Sequence, residues 1–128
     1  MTKITRFEDL ECWQEARKLT CQIYEATEKH CFRKNFRLSS QIQSAAGSIM
    51  ANITEGFTRH SNREFIQFLF IAISSAAEVQ SHLYIALDQG YIDKRQFGEI
   101  YNQTRKTAKV ISGFLKYLLD YQKTQQTR

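Results

Sequence analysis

The sequence predicts an all-α protein, an antiparallel up-down-up-down four-helix bundle. The 128 residues include no proline, which favours uninterrupted helices over a β architecture rich in turns. Aliphatic side chains also recur at helical spacing in four stretches, and short polar links separate these stretches. A chain of this length makes a single domain, residues 1–128, large enough to bury about two-thirds of its unfolded surface.

The first two helices are predicted over residues 9–30 and 38–55. Asp9 or Thr5 is the candidate N-cap of the first helix, and Gly56 is expected to end the second as a left-handed C-cap. From Leu38 to Thr54 there is no charged residue, and small neutral residues fill the gaps between the aliphatics. Other helices can therefore approach this stretch closely.

The third and fourth helices are predicted over residues 62–89 and 94–121. Each begins with a capping-box pattern, Ser61 with Glu64 and Asp93 with Gln96. The polar residues 122–128 are expected to fray.

These last two helices carry more apolar side chains than one buried stripe requires. An exposed aromatic patch of this size marks an interface in many proteins, so self-association is predicted. The alternative is that Tyr117 and Tyr121 lie along the surface with their hydroxyl groups in water. The predicted interface residues are Phe70, Ile73, Val110, Phe114, Tyr117 and Tyr121.

Positive charge is concentrated in the last helix and in the links. The formal net charge is +5, and residues 94–128 hold eight Lys or Arg against two Asp or Glu. Such patches attract phosphates, although lysines at helical spacing also occur as an ordinary solvated face. The candidate nucleic-acid-binding residues are Arg33, Lys34, Arg37, Arg105, Lys109, Lys116 and Lys123.

No pattern in the chain favours catalysis, a metal or a cofactor. Glu78 and His82 are four residues apart, and a surface pair is favoured over a ligand pair, because the di-iron motif of bundles needs a spacing of three. The three cysteines match neither a disulfide framework nor a zinc site, so reduced thiols are expected. The N-terminus lacks a signal-peptide core, and no apolar run is long enough for a membrane span. A cytoplasmic, membrane-free protein is expected.

A polar motif lies where the second helix meets the third. Glu55 stands in a last helical turn, where the helix dipole disfavours an acid. We expect Asn52 and Glu55 to form one polar cluster, with Arg59 or the backbone amides near Gly56 as partners. Direct ligand contact is the alternative. The motif comprises Asn52, Glu55, Gly56, Arg59, Ser61 and Glu64.

The order of these pieces resembles the bacterial four-helix bundle proteins encoded in intervening sequences of 23S ribosomal RNA genes. The resemblance spans most of the chain, from Phe7-Glu8-Asp9-Leu10 to Gly90-Tyr91-Ile92 and the last helix. Its most specific segments are Gln41-Ile42, Ala45-Ala46, Asn52-Ile53-Thr54-Glu55-Gly56 and Phe68-Leu69-Phe70-Ile71-Ala72.

The resemblance implies a fold similar to the accessory variability protein of diversity-generating retroelements. That protein forms a pentameric barrel, binds nucleic acid through a basic surface and works with a reverse transcriptase. A closed homo-oligomeric ring, RNA or DNA as ligand, and a reverse transcriptase or other protein as partner are therefore expectations. The alternative is an oligomeric scaffold for a protein partner with no role in nucleic-acid binding. Fold alone does not assign function.

Overall fold

The computed structural model describes residues 3–126, which contain five α-helices and no strand. The predicted all-α class is confirmed. A short 3-10 turn, Phe7–Asp9, precedes the first helix. The helices are α1 Glu11–Thr27, α2 His30–Lys34, α3 Phe36–Thr58, α4 Asn62–Asp88 and α5 Lys94–Gln126.

The four long helices contact each other in a cycle around one core. Helix α1 packs against α3 and α5, and α4 packs against the same two helices. The Leu and Ile side chains of α1 and α3 are buried, and so is one apolar stripe of α4. Completely buried side chains from all four helices include Leu19, Ile23, Ile42, Ile49, Ile53, Leu69, Val79, Leu83 and Ile111.

The predicted first helix over residues 9–30 is wrong at both ends. Leu10, not Asp9, is the N-cap, and it makes no side-chain capping bond. At the other end α1 stops at Thr27, and Lys29 has an extended backbone before α2 begins. The break turns Phe32 into the core, where its ring stacks on Tyr91 with centroids 5.4 Å apart.

Gly56 is not the predicted left-handed cap. Helix α3 continues past it to Thr58, and His60 adopts the positive φ of 57° in the turn before α4. Gly56 is instead required by close packing. A Cβ atom there would lie 2.7 Å from Phe65 Cδ1 and 2.8 Å from Phe68 Cβ, so glycine allows the start of α4 to approach α3.

The predicted N-caps of α4 and α5 are confirmed, and the complete reciprocal capping box forms at α5. Ser61 Oγ accepts a hydrogen bond from the Glu64 amide at 3.3 Å. Asp93 Oδ1 accepts one from the Gln96 amide at 2.8 Å, and Gln96 Oε1 accepts one from the Asp93 amide at 3.2 Å.

Helix α5 does not end near residue 121 as predicted. It continues through Gln126, because no proline or glycine interrupts residues 114–126 and good helix formers fill them. The predicted frayed tail is therefore wrong for residues 122–126, and residues 127–128 lie outside the described residues. At 1.5 Å per residue α5 is about 50 Å long and α1 only about 26 Å.

Candidate nucleic-acid interface

The corner between α2 and α3 carries the first group of predicted cations, Arg33, Lys34 and Arg37, here called the corner group. Asn35 caps α3 between them, since its Oδ1 accepts a hydrogen bond from the Leu38 amide at 3.0 Å. Asn35 Nδ2 also donates to the Tyr91 hydroxyl at 3.2 Å. The corner is thereby fastened to the loop between α4 and α5, and its three cations are exposed.

The second group, Arg105, Lys109, Lys116 and Lys123, forms what we call the α5 stripe. Spacings of four and seven residues place these side chains within about 40° of one another on the helix. All four are exposed. The stripe extends about 27 Å along the helix, away from the end of α5 that lies beside the corner group. The structure therefore places the seven cations in two groups and does not bring them together in one protomer.

Neither group is neutralised by a carboxylate. Within residues 3–126, none of the seven side chains takes part in an ion pair. Two other lysines show the contrast, since Lys18 and Lys106 lie 3.5 and 3.6 Å from the carboxylate of Glu15. The seven cations are thus available to an anion from solution.

The predicted interface residues divide into two sets. Phe70, Tyr117 and Tyr121 are exposed by 52, 55 and 47 %. Ile73, Val110 and Phe114 are half-buried and pack against the protomer's own core.

The clearest case is Phe114, whose ring meets Phe65 edge to face with centroids 5.3 Å apart. The second stripe of α5, predicted to face another subunit, is thus partly an intramolecular contact. The beginning of α4 covers Phe114, and a helical wheel of α5 alone does not show which neighbour lies there.

The outer face of α4 is more apolar than its predicted interface residues indicate. Ile71 and Ile85 are exposed there, and Glu78 is the one charged residue between Phe65 and Leu87. The apolar character of α4 was visible in the sequence, but the helical wheel did not separate exposed from buried positions. Contrary to the expectation that no apolar run is long enough for a membrane span, α4 could cross a membrane by length and composition alone, with 33 % of its most apolar window buried. The core helix of a soluble protein passes the same test, so this assigns no location.

Asn52 and Glu55 do not form the single polar cluster predicted from the sequence. Glu55 is exposed and pairs with Arg59, whose Nη2 lies 2.8 Å from Glu55 Oε1. The Arg59 guanidinium also lies 5.2 Å from the centre of the Phe68 ring and 3.9 Å from Glu64. This cation one turn later compensates the unfavourable position of Glu55 on the helix dipole.

Asn52 has different partners, on α3 itself. Its Nδ2 donates to the Ser48 carbonyl at 2.7 Å and to Ser48 Oγ at 3.0 Å. Ser48 Oγ and Ser75 Oγ share a further hydrogen bond of 3.0 Å. Because Ser75 belongs to α4, Asn52 is part of a polar link between the two helices. The sequence predicted that Asn52 lies in a polar cluster at the turn between α3 and α4, and it did not predict this link to Ser75.

A buried carboxylate that the sequence did not single out joins α1 to α5. Glu15 is only 6 % exposed, and Gln103 Nε2 donates to its Oε1 at 2.9 Å and to its backbone carbonyl at 3.0 Å. The hydrogen bond from Gln103, assisted by Lys106 and Lys18, holds the pKa of Glu15 below its ordinary value. In the sequence Glu15 is one of several acidic residues on α1, and no local pattern indicates that its side chain is buried.

Among residues 3–126, the remaining polar and thiol groups form no recognisable catalytic centre. Glu78 and His82 line an open cleft of about 460 Å³ between α3 and α4. The described part of the chain contains no group of three or more His, Cys, Asp or Glu that could hold a metal ion. All three cysteines are free; Cys12 is buried, and burial raises the pKa of its thiol to about 11.

Comparison with known proteins identifies a family and a structural relative of known fold. A model of the 23S rRNA-intervening sequence protein family matches residues 8–113. The crystal structure of a protein of unknown function from the S23 ribosomal protein family of Bacteroides thetaiotaomicron VPI-5482 is similar, with a TM-score of 0.76 and 26 % identity. The alignment covers 82 % of this chain and 95 % of that chain. No curated protein matches.

Proposed function

Since the chain belongs to the 23S rRNA-intervening sequence protein family, we propose that it is a non-enzymatic, homo-oligomeric protein that binds nucleic acid as an accessory factor. It acts in the cytoplasm, and the phosphate backbone of RNA or DNA contacts the corner group and the α5 stripe. The observation that carries this proposal is the state of these seven cations, which are exposed and unpaired within the described residues.

The cyclic contacts of the long helices and their short connections support an up-down-up-down four-helix bundle as the protomer. The exposed apolar side chains of α4 and the exposed tyrosines of α5 support its self-association. We propose a closed ring, of five subunits by analogy with the barrel noted above. Closure leaves no free interface and avoids open filaments, and a ring repeats each basic group once per subunit.

Salt-dependent binding tests the proposal. Fluorescence anisotropy would follow labelled RNA and DNA oligonucleotides, in single-stranded and duplex form, as salt is raised. Each phosphate contact contributes about 0.9 to the slope of log affinity against log salt for duplex DNA. The double variant Lys109→Ala/Lys116→Ala should therefore lose about two units of slope, with little dependence on sequence.

The matched control is Arg95→Ala on the same helix. Arg95 is exposed, but it already pairs with Glu99 at 3.1 Å, so its removal should leave the slope nearly unchanged. A wild-type affinity that does not respond to salt, or no binding at low salt, would contradict the proposal.

A second candidate function is a scaffold for a protein partner, a reverse transcriptase among others, without a nucleic-acid role. One observation favours it, an open groove of about 740 Å³ beside the exposed Tyr117 and Tyr121, with Ile4, Leu10 and Phe65 in its wall. Under this alternative, Tyr117→Ala would abolish capture of a co-expressed partner while the assembled protein kept its nucleic-acid affinity. Loss of nucleic-acid affinity after Lys109→Ala/Lys116→Ala would exclude it.

A further inference from the structure

Phe36 is the most exposed large hydrophobic residue of the described chain. Its side chain is 78 % exposed, whereas every other exposed large hydrophobic is at most 55 % exposed. A phenylalanine ring has no polar atom that could form a hydrogen bond with water. Its exposure to solvent is therefore unfavourable, and packing within the chain does not offset it.

The backbone that carries the ring has a rigid support. Phe36 is the first residue of α3, directly after its cap Asn35, and Leu38 behind it is buried. Phe32, four residues earlier, is fully buried and stacks on Tyr91. The backbone on both sides of Phe36 is therefore fixed to the core, and little conformational entropy remains to be lost when a ligand covers the ring.

Three cations flank Phe36 in the sequence. Arg33, Lys34 and Arg37 are all within three residues of it, and there is no acid between Glu28 and Glu55. The amino end of the α3 dipole adds a smaller positive contribution. An exposed aromatic ring on a fixed backbone with unpaired cations around it fits a ligand that combines flat rings with a run of negative charges.

We infer that the α2–α3 corner binds single-stranded nucleic acid, with one unstacked base on the Phe36 ring and the flanking phosphates on the corner group. This inference rests on the proposed function and names the form of nucleic acid bound. Bases inside a duplex are stacked on each other and present no free face to the ring.

Part of the α5 stripe differs in this respect. Between Arg105 and Lys116 no large hydrophobic side chain is exposed, whereas Tyr117 and Tyr121 are exposed between Lys116 and Lys123. Phosphates of single strands and of duplexes can therefore bind the Arg105–Lys116 part alike, while the corner distinguishes the two forms.

The test compares Phe36→Ala with the wild type on oligo-uridine, oligo-thymidine and a duplex of equal length. Loss of one stacked base should weaken binding of both single strands about tenfold, and duplex affinity should stay within about twofold. A second variant, Phe36→Trp, should keep single-strand affinity, and its added fluorescence should be quenched on binding because the base stacks on the indole. Tyr24→Ala, which removes an exposed ring from α1, is the matched control and should change neither affinity.

Several results would overturn the inference. Equal single-strand affinity in Phe36→Ala and wild type would overturn it while leaving the proposed function intact, whereas absence of all nucleic-acid binding in wild type would overturn both. A lower assembly mass of Phe36→Ala in light scattering, with single-strand affinity unchanged, would assign the ring to a second copy of the chain. Loss of binding to phosphatidylserine vesicles, again with unchanged single-strand affinity, would assign it to a membrane surface.

Discussion

Gln103 on α5 donates two hydrogen bonds to Glu15 on α1, one to the buried carboxylate at 2.9 Å and one to the backbone carbonyl at 3.0 Å. Hydrogen bonds to a charged group contribute more than those between neutral groups. This contact therefore helps to hold the first and last long helices together, and it makes the stability of the protein depend on pH.

Gln103→Ala should lower the free energy of unfolding by about 1–3 kcal/mol, because the buried carboxylate loses its best donor. Urea denaturation at neutral pH measures the difference. Asn102→Ala, at the exposed neighbouring position, serves as the control and should have an effect within about 0.5 kcal/mol. Equal effects of the two substitutions would show that the Glu15 contact contributes nothing specific.

The same contact gives a pH dependence. The pKa of Glu15 is lower in the folded protein than its ordinary value of 4.5. Its stabilising contribution is therefore complete above that value and is lost as the pH falls through the folded pKa. Denaturation curves below pH 4.5 should lose stability more steeply in wild type than in Gln103→Ala, and parallel curves would contradict the assignment.

Gly56→Ala should destabilise the protein by about 1–3 kcal/mol, because the new methyl group overlaps Phe65 and the Cβ of Phe68. Gly113 is also in a helix, but no heavy atom of another side chain lies within 4 Å of the place that a methyl group would occupy there. Gly113→Ala should therefore stabilise by about 0.5–1 kcal/mol through helix propensity. Thermal unfolding of the two variants gives opposite signs, and a stabilising Gly56→Ala would refute the close approach of α4.

Asn52 and Glu55 have separate polar partners, so substituting them should destabilise the protein by different amounts. Glu55→Ala removes an exposed ion pair and should cost less than about 1 kcal/mol. Asn52→Ala removes half-buried hydrogen bonds to Ser48 and should cost more, about 1–2 kcal/mol. Urea denaturation of both variants in the same buffer decides the order, and a larger effect at Glu55 would favour the single cluster predicted from sequence.

Under the proposed self-association, Phe70→Glu should reduce the mass of the protein in solution without unfolding the chain. The ring is half-exposed within the protomer, so the charge disturbs the apolar outer face of α4 and not the core. Light scattering measures mass, and circular dichroism confirms helicity. Tyr24→Glu makes the same change on the outer face of α1 and should leave the mass unchanged; an unaltered mass in both variants would exclude the α4 face from assembly.

The three cysteine thiols should fall into two groups that differ in their rate of reaction with a thiol reagent. Cys21 and Cys31 are exposed, whereas Cys12 is buried and its raised pKa keeps it protonated at neutral pH. Ellman's reagent should titrate two thiols per native chain rapidly and the third only after unfolding. Three rapid thiols would show that the beginning of α1 is open to solvent.

Sequence patterns predicted the helical class and the buried positions of α3 because both depend on the local spacing of apolar residues. Other features depend on which helix lies opposite. Glycine is required at position 56 because Phe65 approaches it closely, and Phe65 also covers Phe114. Neither contact can be recognised from the spacing of residues along a single helix. The seven cations were visible in the sequence, but their separation into a corner group and an α5 stripe follows from the orientation of α5.

The contact between Glu15 and Gln103 also has a consequence for synthesis on the ribosome. The two residues are 88 positions apart, and α5 is made after the other four helices. A nascent chain that ends before Lys94 has α1, α3 and α4 but lacks the helix that covers Glu15 and closes the cycle of contacts. Docking of α5 onto α1 therefore closes a long loop, a kind of contact that forms more slowly than local helix pairing, and the apolar faces of α1 and α4 that α5 covers stay accessible to chaperones until α5 docks.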